Sequence, residues 1–279
     1  MTRFNIVTNV SHNDGVRIFY TLPNWVRIFS SRINKILIIV DEKPVEGRIK
    51  NLNKNYNPKY ELNEVLELLK NKYPLITTEK LDYYKVGDVS SQFFKNAKPI
   101  RCQAGTPIFA FLAGIAVADD GILLKTDCDM LYFDNGWVDE AIKLLENNNY
   151  DIIEPPKLKP KSLTFSTRSF LINKNNFMKK MPMKAHTVDL IRIIDRKLKR
   201  KSIYLALEQM LQKEIEAKRF SIKNLSSELG YTLHIIAPSD IDPNNFDKVI
   251  ENVENNTIPQ LQRNDWDFNW EYWKDIYGN

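Results

Sequence analysis

The chain has 279 residues, 43% of them hydrophobic, 11% aromatic and 27% charged, which is enough apolar material for a sizeable core and excludes a disordered tail protein. No apolar run approaches the ~18–20 residues that a membrane-crossing helix needs. With only Cys102 and Cys128 there is no disulfide framework, and the opening run from Phe4 lacks the layout of a secretion signal, so a cytoplasmic setting is expected.

The net charge of +5 is unevenly spread. Residues 157–223 hold 18 Lys and Arg against 5 Asp and Glu, while residues 240–279 hold 3 against 9. Such a basic block suits nucleic acid, an anionic membrane surface or a phosphorylated substrate; a solvated helical face is the plain alternative.

Taken in order, strand-length apolar runs alternate with segments of helical period, which predicts a three-layer α/β domain with helices on both faces of a mixed sheet. Residues 4–10 form the first strand. A helix follows over 16–29, with Pro23 expected to bend or split it. Residues 36–40 are five consecutive aliphatics, the pattern of a strand buried on both faces, and Asp41 closes it. Leu62, Val65, Leu66 and Leu69 place a helix over 61–72, and residues 82–86 give a weaker strand. Thr106 and Pro107 open a helix that runs to about 118, as N-cap and first helical residue. Strands are expected at 122–125, 150–154, 164–172 and 231–236, and helices at 188–199 and 202–218. The predicted division is a 1–240 domain, with halves 1–131 and 132–240, and a 241–279 tail. In that tail Trp266, Trp270 and Trp273 follow i, i+4, i+7 spacing, which would put all three on one helical face.

Asp127-Cys128-Asp129 follows the 122–125 strand directly. In extended backbone, residues i and i+2 project to the same side, so both carboxylates converge at the carboxyl end of a buried strand, where α/β sheets bind ligands. Paired hard oxygens suit Mg²⁺ or Mn²⁺, which complete their shells with water and phosphate oxygens and so imply a diphosphate ligand. Two solvated aspartates in a turn are the alternative.

On these residues the sequence resembles the GT-A glycosyltransferases, and more narrowly the broad nucleotide-sugar-dependent group called family 2, over roughly 5–236. The resemblance implies that Thr8 and Asn9 meet the nucleotide, that Asp41 touches base or ribose, and that Arg101 precedes the Ala- and Gly-rich helix containing Ala113 and Gly114. It implies that Asp129 holds the metal, that Asp127 faces the ribose or the metal through water, and that His234 is a late metal ligand that favours Mn²⁺ somewhat. His234 as a satisfied core residue is the competing reading. Where the family often carries a Glu-Asp pair as catalytic base, this chain has Glu208-Gln209, so Glu208 is the candidate base and the second carboxylate is absent.

The activity so implied is transfer of a sugar from a nucleoside diphosphate sugar to a hydroxyl of a carbohydrate or lipid-linked acceptor. Nucleic acid is not expected as a partner. Residues 190–201 combine Leu190, Ile191, Ile194 and Leu198 with a run of cations, which leaves peripheral membrane contact open beside a core-facing stripe with a solvated basic end. A sugar nucleotidyltransferase, or a non-catalytic nucleotide-sugar or nucleic-acid binding module, are the competing functions. The first should show a Gly-rich, basic loop after its first strand, which 9–15 matches poorly.

Overall fold

A computed structural model describes residues 2–43, 60–95, 97–157, 165–226, 230–235 and 241–277. In chain order the elements are β1 (Phe4–Ser11), α1 (Gly15–Phe29), β2 (Ile33–Asp41), α2 (Leu62–Lys72), β3 (Ile76–Lys80), α3 (Val86–Phe93), β4 (Phe94–Lys95), α4 (Ile108–Val117), β5 (Ile122–Thr126) and β6 (Met130–Tyr132). They continue with α5 (Val138–Glu146), β7 (Ile152–Glu154), β8 (Ser169–Asn173), α6 (Lys174–Lys179), β9 (Met183–Lys184), α7 (Leu190–Leu198), α8 (Leu207–Glu216), β10 (Ile222–Asn224), β11 (Thr232–His234), α9 (Phe246–Glu254) and α10 (Lys274–Tyr277).

Seven strands form one mixed sheet in the order β10-β7-β8-β5-β1-β2-β3. β5, β1, β2 and β3 run parallel, and β8 is antiparallel to both β5 and β7. The parallel centre is apolar on both faces, as helices on each side require. Ile6, Val10, Ile36, Ile38 and Val40 pack with α1 and α2, while Val7, Leu37 and Ile39 pack with α3 and α4. α4 is apolar nearly all round and lies hard against β1: a Cβ on Gly114 would stand 2.7 Å from Val7 Cγ1.

Several expectations shift. α1 runs unbroken through Pro23, whose missing N–H leaves one turn without its bond. The 82–86 segment is not a strand: the Asp82 side chain accepts from Tyr84 N at 2.9 Å and winds the chain into a 3₁₀ turn that leads into α3. The third parallel strand is the polar edge strand β3 instead. Pro107, not Thr106, is the N-cap of α4. Positions 164 and 236 of the expected strands lie outside the described residues.

The three tail tryptophans do not share a helix. Residues 270–272 form a 3₁₀ turn ahead of α10, and each indole is held separately. Trp266 Nε1 donates to Thr232 Oγ1 at 3.0 Å, Trp270 packs edge-on against Phe268 and Phe246, and the fully buried Trp273 donates to Gln262 Oε1 at 3.0 Å. The segment packs on the main core, where Phe246, Val249, Phe268 and Trp273 join Val16, Tyr20, Leu131 and Leu233.

Candidate active site

Asp127, Cys128 and Asp129 form the turn between β5 and β6, not extended backbone. One face of α1 holds this segment. Thr21 Oγ1 donates to Cys128 O at 2.7 Å, Trp25 Nε1 donates to Met130 O at 2.6 Å, and Asn24 exchanges two hydrogen bonds with the Tyr132 backbone at 2.8 and 2.9 Å. Positions 21, 24 and 25 are neighbours within about one helical turn, so a single stripe of α1 holds residues 128, 130 and 132. From the other side, Asp127 N donates to Arg168 O at 2.7 Å.

β6 pairs antiparallel with β11, with His234 opposite Met130. The tail then lies along β11: His234 N donates to Trp266 O at 3.0 Å and Phe268 N to His234 O at 2.7 Å. This brings Asp267 to the imidazole, with His234 Nδ1 2.8 Å from Asp267 Oδ1 and Nε2 3.4 Å from Asp129 Oδ2. An ionised carboxylate only accepts, so the Nδ1 hydrogen points at Asp267 and Nε2 is turned towards Asp129. A neutral Nε2 lone pair facing a carboxylate oxygen is two acceptors in opposition, which only a proton or a cation resolves.

The charges follow from this packing. Burial opposes ionisation of Asp129, but His234, Arg17 and Arg168 outweigh it and hold the carboxyl down to about 2. His234 is raised: burial acts against its charge and the Asp129 and Asp267 carboxylates prevail. Desolvation pushes Asp127 up to about 6, with the Asp129 charge adding to it and Lys125 opposing. Lys125 itself is fully buried, 3.6 Å from Asp127 Oδ1, and its pKa is lowered by that burial.

Asp129 Oδ1 is buried without a hydrogen-bond partner among the described residues. An orphaned carboxylate oxygen beside an oriented imidazole fits a divalent ion, which needs only one or two protein carboxylates when a substrate diphosphate fills the rest of its shell. Among the described residues no group of three or more His, Cys, Asp or Glu forms a cage sufficient for a metal by itself.

Glu208 stands in the first turn of α8, half-buried. Burial raises its pKa, Arg168 and Lys157 pull it down, and Asp127 and Glu154 push it further up, so it shares the electrostatic environment of Asp127. Gln209, at the place of the absent second carboxylate, turns back to accept from Ala206 N at 3.3 Å and so caps the helix.

Trp266 lies beside this group, with Lys157 Nζ 5.2 Å and Arg168 Cζ 5.0 Å from its ring. The Glu154 carboxylate accepts from Lys157 and from Ser166 N. Sequence reasoning passed over Arg168, Lys157, Glu154 and Asp267. Only the local density of cations and the acidic, Trp-rich tail hinted at them.

The other predicted residues lie on β1, at the end of β2 and in the loop before α4. Thr8 is fully buried within β1 on the α1 face, and Asn9 lies on the α4 face, its Oδ1 3.3 Å from where a Gly114 Cβ would be. Ser11 ends the strand level with Asp41. Asp41 is buried, and Tyr83 OH donates to both its oxygens at 2.9 and 3.0 Å while Lys43 Nζ lies 3.4 Å over the Tyr83 ring. Arg101 Nη1 donates to Gly105 O at 3.0 Å and closes its own loop. The cations acting on the aspartates are Arg17, Lys125 and Arg168.

No protein-family model matches the chain, and no curated protein matches it in sequence. Solved structures do. The mannosyltransferase PcManGT from Pyrobaculum calidifontis, in complex with GDP-Man and Mn²⁺, has a TM-score of 0.50 at 9% identity, over 82% of this chain and 56% of its own, so the chain spans little more than half of that enzyme. LgtC matches with a TM-score of 0.45 at 11% identity over 88% and 78% of the two chains. The inositol-1-phosphate CTP transferase from T. maritima matches with a TM-score of 0.47 at 11% identity over 90% and 96%. The chain is therefore built on the α/β fold of the GT-A-type glycosyltransferases, with nucleotidyltransferases also among its structural neighbours.

Proposed function

We propose that the chain is a metal-dependent glycosyltransferase that moves a sugar from a nucleoside diphosphate sugar to a hydroxyl acceptor. The observation that carries this reading is the buried Asp129 Oδ1, without a hydrogen-bond partner among the described residues, beside a His234 ring whose Nδ1 is already committed to Asp267. Asp129 and His234 would hold Mn²⁺ or Mg²⁺, with Asp127 beside them. When bound, that ion neutralises charge on the diphosphate as the glycosidic bond breaks.

The protein's own part is orientation and proton handling. The hydrogen bonds from Thr21, Asn24 and Trp25 fix residues 128–132, so the carboxylates need little reorganisation when a donor arrives. The acceptor oxygen forms its bond to the anomeric carbon, the diphosphate departs with the electron pair, and the acceptor proton passes to Glu208. A raised carboxyl pKa makes Glu208 a stronger base than a solvated glutamate once ionised. Trp266 offers an aromatic face on the acceptor side, flanked by Lys157 and Arg168.

The likeness to a GDP-Man-bound mannosyltransferase supports a nucleotide-sugar donor in kind, not in identity. A nucleotidyltransferase would need a basic, Gly-rich phosphate loop after β1; here Asp14 instead ties the turn by accepting from Ser11 N and Oγ at 2.7 and 2.8 Å. The test is a panel of nucleoside diphosphate sugars with Mn²⁺, reading nucleoside diphosphate release. Release of nucleoside diphosphate supports the reading. Pyrophosphate release from a nucleoside triphosphate and a sugar phosphate, with no diphosphate release from any donor, contradicts it.

A further inference from the structure

α7 has no buried residue. Leu190, Ile191, Ile194 and Leu198 are 78%, 83%, 64% and 80% exposed, so the apolar stripe expected to face either core or membrane does not face the core. The four positions fall on one side of the helix. Six cations, Arg192, Arg196, Lys197, Lys199, Arg200 and Lys201, accompany them against Asp189 and Asp195.

The helix is a supported projection. Its base is closed by a bridge between Thr187 and Tyr204 and by Val188 N donating to Ile203 O at 2.9 Å. Asp189 caps its first turn by accepting from Arg192 N at 2.9 Å, and Arg196 reaches inward to Ser202 O and Gln103 O, each at 2.5 Å. The stripe is thus presented outward on a fixed mount.

We propose that α7 docks in the plane of an anionic lipid bilayer, its leucines and isoleucines at the acyl boundary and Lys197, Lys199, Arg200 and Lys201 among the headgroups. An apolar stripe beside a cationic cluster is the pattern that interfacial helices use. A second copy of the chain is disfavoured because it would set one cluster of cations against another. A nucleic acid would leave the four aliphatic side chains in water. Docking requires no catalytic residue and stands apart from the glycosyltransferase reading.

Co-sedimentation of the full chain with phosphatidylserine–phosphatidylcholine vesicles at low salt tests this. Wild type should pellet with these vesicles, remain in solution with phosphatidylcholine alone, and be released by high salt. Ile191→Gln/Leu198→Gln and Lys197→Glu/Lys201→Glu should each weaken binding by about tenfold or more at unchanged melting temperature, since both act on exposed positions. Wild type that stays in solution with anionic vesicles overturns the proposal, as does binding equal in wild type and both variants. A dimer that dissociates on Ile191→Gln/Leu198→Gln, without vesicle binding, assigns the stripe to a second copy and also overturns it.

Discussion

His234 Nδ1 stands 2.8 Å from Asp267 Oδ1, a pairing that joins β11 to a tail residue 33 positions later and turns Nε2 towards Asp129. A carboxylate behind a ligating histidine fixes the ring and raises its basicity. Asp267→Ala should therefore weaken Mn²⁺ binding about 10- to 100-fold while the fold is kept, measured by Mn²⁺ titration followed by electron paramagnetic resonance. Unchanged affinity would remove Asp267 from the site.

Glu208→Gln keeps size and helix position but cannot take a proton. Turnover should fall about 10²- to 10⁴-fold while donor affinity, read by calorimetry, stays the same. A matched loss of donor affinity would place Glu208 on the nucleotide side instead.

Thr21→Val is nearly isosteric and deletes the donor to Cys128 O in a fully buried position. A stability loss of about 1–3 kcal/mol is expected in urea unfolding, because the carbonyl is left unpaired. If α1 holds the metal-side turn in place, weaker Mn²⁺ binding should accompany it. Loss of stability with full affinity would separate the clamp from the site.

The pH response has a definite sign. An acid raised from 3.8 to about 6 on folding binds its proton more tightly in the folded chain, so the stability that Asp127 contributes is present below 3.8, declines as pH rises and is gone above about 6. Asp129, lowered to about 2, acts oppositely and loses its contribution as pH falls from 3.8 through about 2. Asp127→Asn should thus raise the metal-free melting temperature above about pH 6 and lose that advantage below 3.8. The Asp127 side chain is 41% exposed, so screening keeps the gain small. A variant destabilised across that whole range would contradict the assignment.

The central parallel strands and the place of Asp127 and Asp129 at a strand end were legible because their signals are local, although the sequence reads that segment as extended where the chain turns. The 36–40 aliphatic run has the pattern of a strand covered on both faces, and 127–129 directly follows another strand. Glu208 was a candidate only through the resemblance, at the place of the family's Glu-Asp pair. What escaped were contacts made across the chain: α1 reaching Cys128, Met130 and Tyr132 more than a hundred residues on, and Asp267 returning to His234. Periodicity misled where local hydrogen bonds overrode it. Asp82 curls a β-prone segment into a turn, and the tail tryptophans keep helical spacing without a helix because residues 266–268 are drawn along β11. The α7 stripe was visible in sequence, but which way it faces is settled only by the closed base at 187–204.

The decisive measurement is thermal unfolding of wild type and Asp129→Asn with a nucleoside diphosphate, with and without Mn²⁺. A ligand that binds only the folded chain must stabilise it, by about 2.7 kcal/mol at a hundred times its Kd. The account predicts a metal-dependent rise in melting temperature for wild type that disappears in Asp129→Asn. An equal rise in both proteins, or none in wild type across all nucleoside diphosphates, would contradict it.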